Sequence, residues 1–249
     1  MISFNRLGKF GRLGNQLFQR AATIGAAERY RTVSKFPKWE FSDHFINQID
    51  QTLTPEQIQH EYIEPAFHYN EPVCFGNTDL VGYFQSELYF KHCESLIREI
   101  FQFKPSLVDS AKINECEDRC SIHVRRTDYL SLSEYHPFAG ISYYQQAIKS
   151  MNSFGITKFI IFSDDITWCK QNFGLDLDII FSEQNSNIQD LLLMSRCSHH
   201  IIANSSFSWW GSWLNSNPEK RVIAPANWFG PMNRSANTKD LYCQSWLKL

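Results

Sequence analysis

Residues 121–128 read Ser-Ile-His-Val-Arg-Arg-Thr-Asp. Ile122 and Val124 suit a short buried strand, whereas His123, Arg125, Arg126 and Asp128 are costly to desolvate without partners. Two adjacent arginines where a strand meets a loop invite an anion, because each guanidinium presents a planar fork of donors. A second place for a phosphate or another polar ligand is the glycine-punctuated turn Lys9–Gln16. There Gly11 and Gly14 allow close backbone approach, and the start of the following helix offers unpaired N–H groups at a positive dipole end. The turn is neither a Walker loop nor a G-x-G-x-x-G fingerprint, and a plain strand-to-helix turn reads equally well.

The elements that must position these residues follow from apolar runs. From residue 118 onward, strand candidates fall at 119–125, 158–162, 177–181, 199–203 and 221–225. Helix candidates lie between them at 142–151, 165–173, 187–196 and 206–216. This alternation implies βαβ units and a parallel sheet, so the C-terminal half is a Rossmann-like domain. The N-terminal half reads as a short strand at 2–4, a helix from Gln16 to Tyr30, a strand from Thr78 to Phe84 and a helix from Glu87 to Phe101. A further helical stretch runs from Pro105 to Asn114, and a proline- and aromatic-rich segment occupies 36–76.

In open α/β sheets, ligands bind beyond the carboxyl ends of the strands. Those ends here are Arg125–Asp128, Ser163-Asp164-Asp165, Ser182–Asn185 and Asn204-Ser205-Ser206, a polar rim at each. Ser205 and Ser206 would cap the helix that carries Phe207, which makes a second anion site at its start. Asp164 and Asp165 could hold a divalent cation, cap the next helix or meet a base edge. With arginines at hand to neutralise a diphosphate, the metal-free reading is preferred. His199 and His200 begin a strand, away from that rim, and read as structural.

Composition bounds the answer. With 249 residues, 43% hydrophobic and 20% charged, the chain is globular and long enough for one large domain or two small ones. A net charge of −2 argues against a general nucleic-acid binder. Seven scattered cysteines without a C-x-x-C favour free thiols in a reducing compartment. Cys116, Cys120 and His123 have a faintly zinc-like spacing, but Cys120 and His123 have opposite strand parity, so no metal is expected there. There is no apolar leader run at the N-terminus and no stretch long enough to span a membrane. The expected location is cytoplasmic, with peripheral association with the inner membrane left open by residues 1–38, where Glu28 is the single acid among several Arg and Lys.

Four motifs in order, Gly11–Gln19 (Gly-Arg-Leu-Gly-Asn-Gln-Leu-Phe-Gln), His123–Asp128, Phe162–Asp165 and Asn204–Gly211 (Asn-Ser-Ser-Phe-Ser-Trp-Trp-Gly), resemble those of bacterial alpha-1,2-fucosyltransferases. The resemblance implies a GT-B-like α/β fold, two Rossmann-like parallel-sheet domains facing across a cleft. Residues 1–115 would form the acceptor-side domain and 116–249 the nucleotide-sugar domain, with the C-terminal tail free to pack back on the first. It implies an inverting, metal-independent transfer of fucose from GDP-fucose to the 2-hydroxyl of an acceptor sugar, galactose in a surface glycan, with no cofactor. Arg125 would contact the diphosphate, His123 the nucleotide, and Asp164 or Asp165 the guanine. Ser205, Ser206 and the Phe207 amide would hold the β-phosphate. Gly14 and Asn15 would reach the phosphate or the fucose from the other domain. Asp128, Glu134 and His136 are the reachable candidates for a base, with Arg125, Asp128 and Glu134 taken as the catalytic set. Arg126 and Asp128 are expected to hold the loop in shape. The alternatives are a GT-B transferase with another nucleotide sugar, or a carbohydrate-binding module built on Trp209, Trp210 and Trp213.

Overall fold

The central apolar runs of the C-terminal half, 120–124 and 159–162, form parallel strands, and the second is covered on both faces, with Ile160 and Phe162 packed against Leu193 and Met194 on one of them. Cys120, Ile122, Val124, Phe159 and Ile161 are all buried in one cluster with Tyr144, Ala147 and Met151 of the first crossover helix. The structure, a computed structural model, describes residues 1–47, 50–111, 113–174 and 177–249. These form two units, Met1–Pro105 with Ala236–Cys243, and Ser106–Ser235 with Gln244–Leu249.

In the first unit, strands β1 (Ile2–Ser3), β2 (Ser34–Lys35), β3 (His60–Ile63) and β4 (Thr78–Val81) make a parallel sheet of order β2-β1-β4-β3. Helix α1 (Leu13–Arg29) lies on it through small residues, with Ala21, Ala22, Ala26 and Ala27 all buried. Arg20 of α1 is only 2% exposed. Its guanidinium lies 4.1 Å from the Trp39 ring centroid, and burial pulls its pKa down to about 9. The helix expected over 87–101 is two short 3₁₀ turns followed by α2 (Glu94–Ile100). Ser86 caps the first turn by accepting from the Leu88 N–H. Phe90, fully buried, leaves the helical region at φ −137°. The strand expected over 78–84 stops at Val81, and Phe84 then turns the chain with φ +52°. Helix α3 (Pro105–Ser110) is shorter than the stretch expected to Asn114. Lys112 lies outside the described residues, and Ile113–Glu115 is a 3₁₀ turn.

In the second unit the chain runs through β5 (Cys120–Val124), α4 (Thr127–Ser131), α5 (Ile141–Ser153), β6 (Lys158–Ser163), α6 (Ile166–Asn172) and β7 (Asp178–Phe181). It continues through α7 (Asn187–Arg196), β8 (His199–Ile201), α8 (Ser206–Leu214), β9 (Val222–Ala224) and β10 (Leu247–Lys248). The sheet order is β10-β9-β8-β5-β6-β7, parallel throughout. Read from the other edge this is the doubly wound order 3-2-1-4-5-6. The chain leaves β5 toward β6 and β7, then returns past it to β8, so β5 is the topological switch point. His200 is fully buried, away from the strand ends, between the Ser121 hydroxyl at 2.8 Å and the Asn215 amide at 2.9 Å. Trp209, Trp210 and Trp213 are buried against one another, so they form core rather than a sugar-binding surface. Among the described residues no helix is long and apolar enough to cross a membrane.

Candidate active site

The polar end of the 121–128 motif emerges from the carboxyl end of β5, at the switch point, where a doubly wound sheet leaves a crevice for a ligand. The first requirement there is to hold two cations in place, and β6 supplies the means. Val124 pairs with Ser163, so Asp164 and Asp165 come out beside Arg125 and Arg126. Asp164 accepts from the Arg126 N–H at 2.9 Å, from the Thr127 N–H at 3.3 Å and from the Thr127 hydroxyl at 2.5 Å. It also pairs with Arg125 Nη1 at 2.9 Å. One carboxylate therefore ties both the backbone of the loop and its first guanidinium. Asp165 caps α6 by accepting from the Trp168 N–H, and its other oxygen meets Arg126 Nη1 at 2.5 Å. The Arg126 guanidinium lies 4.8 Å from the Trp168 ring centroid.

Arg125 is further held by Asp128, Nη2 to Oδ1 at 2.7 Å, one turn into α4. Its side chain keeps 17% exposure. It is thus a largely immobilised fork that still meets solvent, which suits a phosphate. Tyr129 lies against this guanidinium, 5.7 Å from centroid to carbon, and donates its hydroxyl to the Asn204 carbonyl at 3.0 Å. The Asn204 amide donates to the carbonyls of Pro137 and Trp228, each at 3.0 Å, so one residue at the end of β8 braces the loop after α4.

His123 is 6% exposed, and its Nδ1 has no hydrogen-bond partner among the described residues. Burial pulls its pKa down to about 4, with Asp164 opposing, so the ring is neutral near pH 7. It lies 5.5 Å, centroid to centroid, from Phe207 in the first turn of α8. Ser205 is the N-cap of that helix, accepting from the Phe207 N–H at a long 3.4 Å, and Ser206 is its first residue. The structure therefore brings His123, Arg125, Asp128, Asp164, Asp165, Ser205, Ser206 and Phe207 to one end of one sheet.

Glu134 is exposed. The Met232 N–H donates to its carbonyl at 2.9 Å, and the Gly230 N–H to the Tyr135 carbonyl at 2.9 Å, so the backbone that carries it is anchored. His136 stacks on Tyr129 at 5.4 Å and 22°. Burial lowers its pKa, and Asp128 opposes that shift. Gly14 and Asn15 belong to the first unit, in the first turn of α1. Gly11, at φ +90°, begins the turn before them. A Cβ there would fall 2.5 Å from Asn15 Nδ2, so this position needs glycine on both counts.

Asp190 is a carboxyl that the motif reading passes over. It sits on α7, next to the end of β7, and accepts from the Ser182 hydroxyl at 2.7 Å. Burial raises its pKa to about 6, against hydrogen bonds from Ser182 and Asn185. The sequence signal was present as the polar rim 182–185 followed by an acid one turn into the next helix.

Comparison with known proteins agrees with this geometry. The description of glycosyl transferase family 11 matches residues 56–249. An alpha-1,2-colitosyltransferase of Escherichia coli is 35% identical over 185 residues, which cover 70% of this chain and 63% of the relative. The O-antigen biosynthesis glycosyltransferase WbnK of Escherichia coli is 33% identical over 68% of this chain and 60% of its own length. The chain thus spans about three fifths of these relatives. Among solved structures, POFUT1 in complex with GDP-fucose shares the fold, with a TM-score of 0.54 at 14% identity over 88% of this chain and 95% of that one. With its family description running from the first unit's third strand to the chain end, the protein belongs to glycosyl transferase family 11.

Proposed function

We propose that this chain transfers L-fucose, with inversion, from GDP-fucose to the 2-hydroxyl of a galactose-containing glycan. The observation that carries the reading is Arg125, fixed by two carboxylates at the switch point and still open to solvent. In the reaction the acceptor oxygen bonds to C1 of the fucosyl group as the bond from C1 to the phosphate oxygen breaks. GDP leaves with the electron pair, and the acceptor proton goes to a base. Arg125 stabilises the charge that grows on the diphosphate, and Ser205, Ser206 and the Phe207 N–H receive its β-phosphate at the start of α8. His123, neutral, faces the nucleotide. Arginines meet the diphosphate charge, so the transfer runs without a metal.

Two assignments are refined. Both oxygens of Asp164 are taken up by the loop and both of Asp165 by α6 and Arg126. The carboxylate that accepts the guanine N–H donors is then Asp190. Asp128 orients Arg125, which leaves Glu134 and His136 as the candidates for the base, and of these the exposed carboxylate of Glu134 is the one proposed.

A second donor has support in the colitosyltransferase relative. Colitose is fucose without its 3-hydroxyl, and a site that hydrogen-bonds this hydroxyl rejects the sugar lacking it by about 10⁴-fold. The test is GDP release from GDP-fucose, GDP-colitose, GDP-mannose and UDP-galactose over a panel of galactosides, with and without EDTA. The reading requires preference for GDP-fucose, unaffected by EDTA. Preference for GDP-colitose would move the donor, and loss of activity in EDTA would return Asp164 and Asp165 to a metal role.

A further inference from the structure

The carboxyl end of the first unit's sheet carries a built surface that the donor chemistry leaves unused. β1 and β4 are neighbours in the sheet, and β1 is its switch point, with β2 on the other side. The loops leaving these two strands, residues 4–12 and 82–86, are joined twice, and the second is also tied to α1. Gln19 Nε2 donates to the Phe10 carbonyl at 2.7 Å and to the Gly82 carbonyl at 3.3 Å. The rings of Phe10 and Tyr83 stack at 4.5 Å with 20° between planes. Gln85 Nε2 donates to Asn15 Oδ1 at 2.8 Å.

The second loop is also held under strain. Phe84 is a bulky residue at φ +52°, a conformation that costs about 1–3 kcal/mol and persists only where its surroundings impose it. Glu64, at the end of β3, imposes it by accepting from the Tyr83 N–H at 2.7 Å and the Phe84 N–H at 3.0 Å. Gly82 makes room for this, since a Cβ there would lie 2.5 Å from the Glu64 Cβ. The strained turn buries the Phe84 ring completely and leaves Tyr83 37% exposed. The next residue, Gln85, is 8% exposed, and its Oε1 has no partner among the described residues. Loop packing accounts for a buried Phe84. It does not account for an unsatisfied buried amide oxygen beside an exposed aromatic ring, a costly arrangement unless a ligand supplies the donor.

We propose that Tyr83, backed by Phe10, and the Gln85 amide form the docking site for the acceptor, a neutral pyranoside. The apolar face of the sugar ring lies on Tyr83, and a sugar hydroxyl donates to Gln85 Oε1. An aromatic ring gives the apolar contact and the amide gives the directed bond, the combination that a small-molecule site needs. The assignment rests on the transferase reading, and its test fails separately from that reading.

The probe is methyl β-D-galactoside, followed by saturation-transfer NMR on the full chain with and without GDP. GDP affinity is measured in parallel by calorimetry. Saturation transfer is expected with wild type and Tyr83→Phe. It should be lost in Tyr83→Ala and Gln85→Leu, both with GDP affinity unchanged. In the transferase assay the acceptor KM of Tyr83→Ala should rise roughly tenfold, the equivalent of about 1.4 kcal/mol, with the donor KM unmoved. Galactoside binding that survives in Tyr83→Ala overturns the proposal, as does the absence of saturation transfer to wild type with GDP present. Displacement of the galactoside by GDP also overturns it, because the platform would then belong to the nucleotide. If wild type binds the galactoside but not GDP, the donor reading falls and this one stands.

Discussion

Asp164 shows what a single carboxylate does when its oxygens meet more donors than one ligand could supply. It fixes Arg125, Arg126 and Thr127 together, which gives it a positioning role. None of this was legible from residues 163–165 alone, where a cap and a base edge both stood open and a metal was the less favoured role. The answer needed the pairing of Val124 with Ser163, a contact 39 residues apart in sequence. His123 carries a pH signature of the same buried site. Unfolded, it binds a proton near 6.5, and folded only near 4, so between these values the unfolded chain holds more protons. Stability contributed by this residue is therefore complete above about pH 6.5 and falls as the pH is lowered toward 4, by up to about 3 kcal/mol. Urea midpoints of wild type should drop more steeply over that window than those of His123→Gln. Parallel slopes would show that the imidazole is not held neutral. Asp190 gives a matching expectation for the ligand. In the proposed role the ionised form accepts the guanine N–H groups, so GDP affinity should weaken as the pH falls through about 6. Asp190→Asn should lower GDP affinity by about tenfold to a hundredfold and erode its preference over ADP, as measured by calorimetry.

The elements that sequence periodicity reveals well are those buried on both sides. The strands at Cys120–Val124 and Lys158–Ser163 and the helix Asn187–Arg196 lie where their apolar patterns put them. Strands β2 and β10, two residues each, and β3, His-Glu-Tyr-Ile with three exposed positions, have no such pattern. They exist through pairing with neighbours rather than through their own composition. The split helix at 87–100 failed for a related reason, since an apolar stripe cannot show that Phe90 leaves the helix to reach the core. At the start of α1 the legible feature was Gly11, and the structure adds its cost of replacement. Gly11→Ala would combine a left-handed φ with a 2.5 Å approach to Asn15. The expected loss is about 1–2 kcal/mol in urea denaturation, with an accompanying fall in activity from displacement of Asn15. A stability equal to wild type would contradict the strained turn.

At the scale of the molecule, two parallel sheets carry two separate sets of loops at their strand carboxyl ends. The donor chemistry proposed for the chain gathers at β5, the switch point of the doubly wound sheet. Sequence alternation alone could announce the second sheet, and motif resemblance was needed for the first, where short polar strands hide the pattern. Membership of family 11 supports glycosyl transfer as the proposed class of reaction, and the placement of Arg125 supports its proposed role in meeting the diphosphate charge. The most direct test is therefore the kinetics of GDP release from GDP-fucose onto a galactoside by Arg125→Lys. Lysine keeps the charge but loses the fork that Asp128 and Asp164 hold. A fold unchanged by circular dichroism with kcat/KM lowered by about a hundredfold or more is the expected result, on the scale of a lost oxyanion donor. A soluble Arg125→Lys protein with near-wild-type turnover would contradict the account.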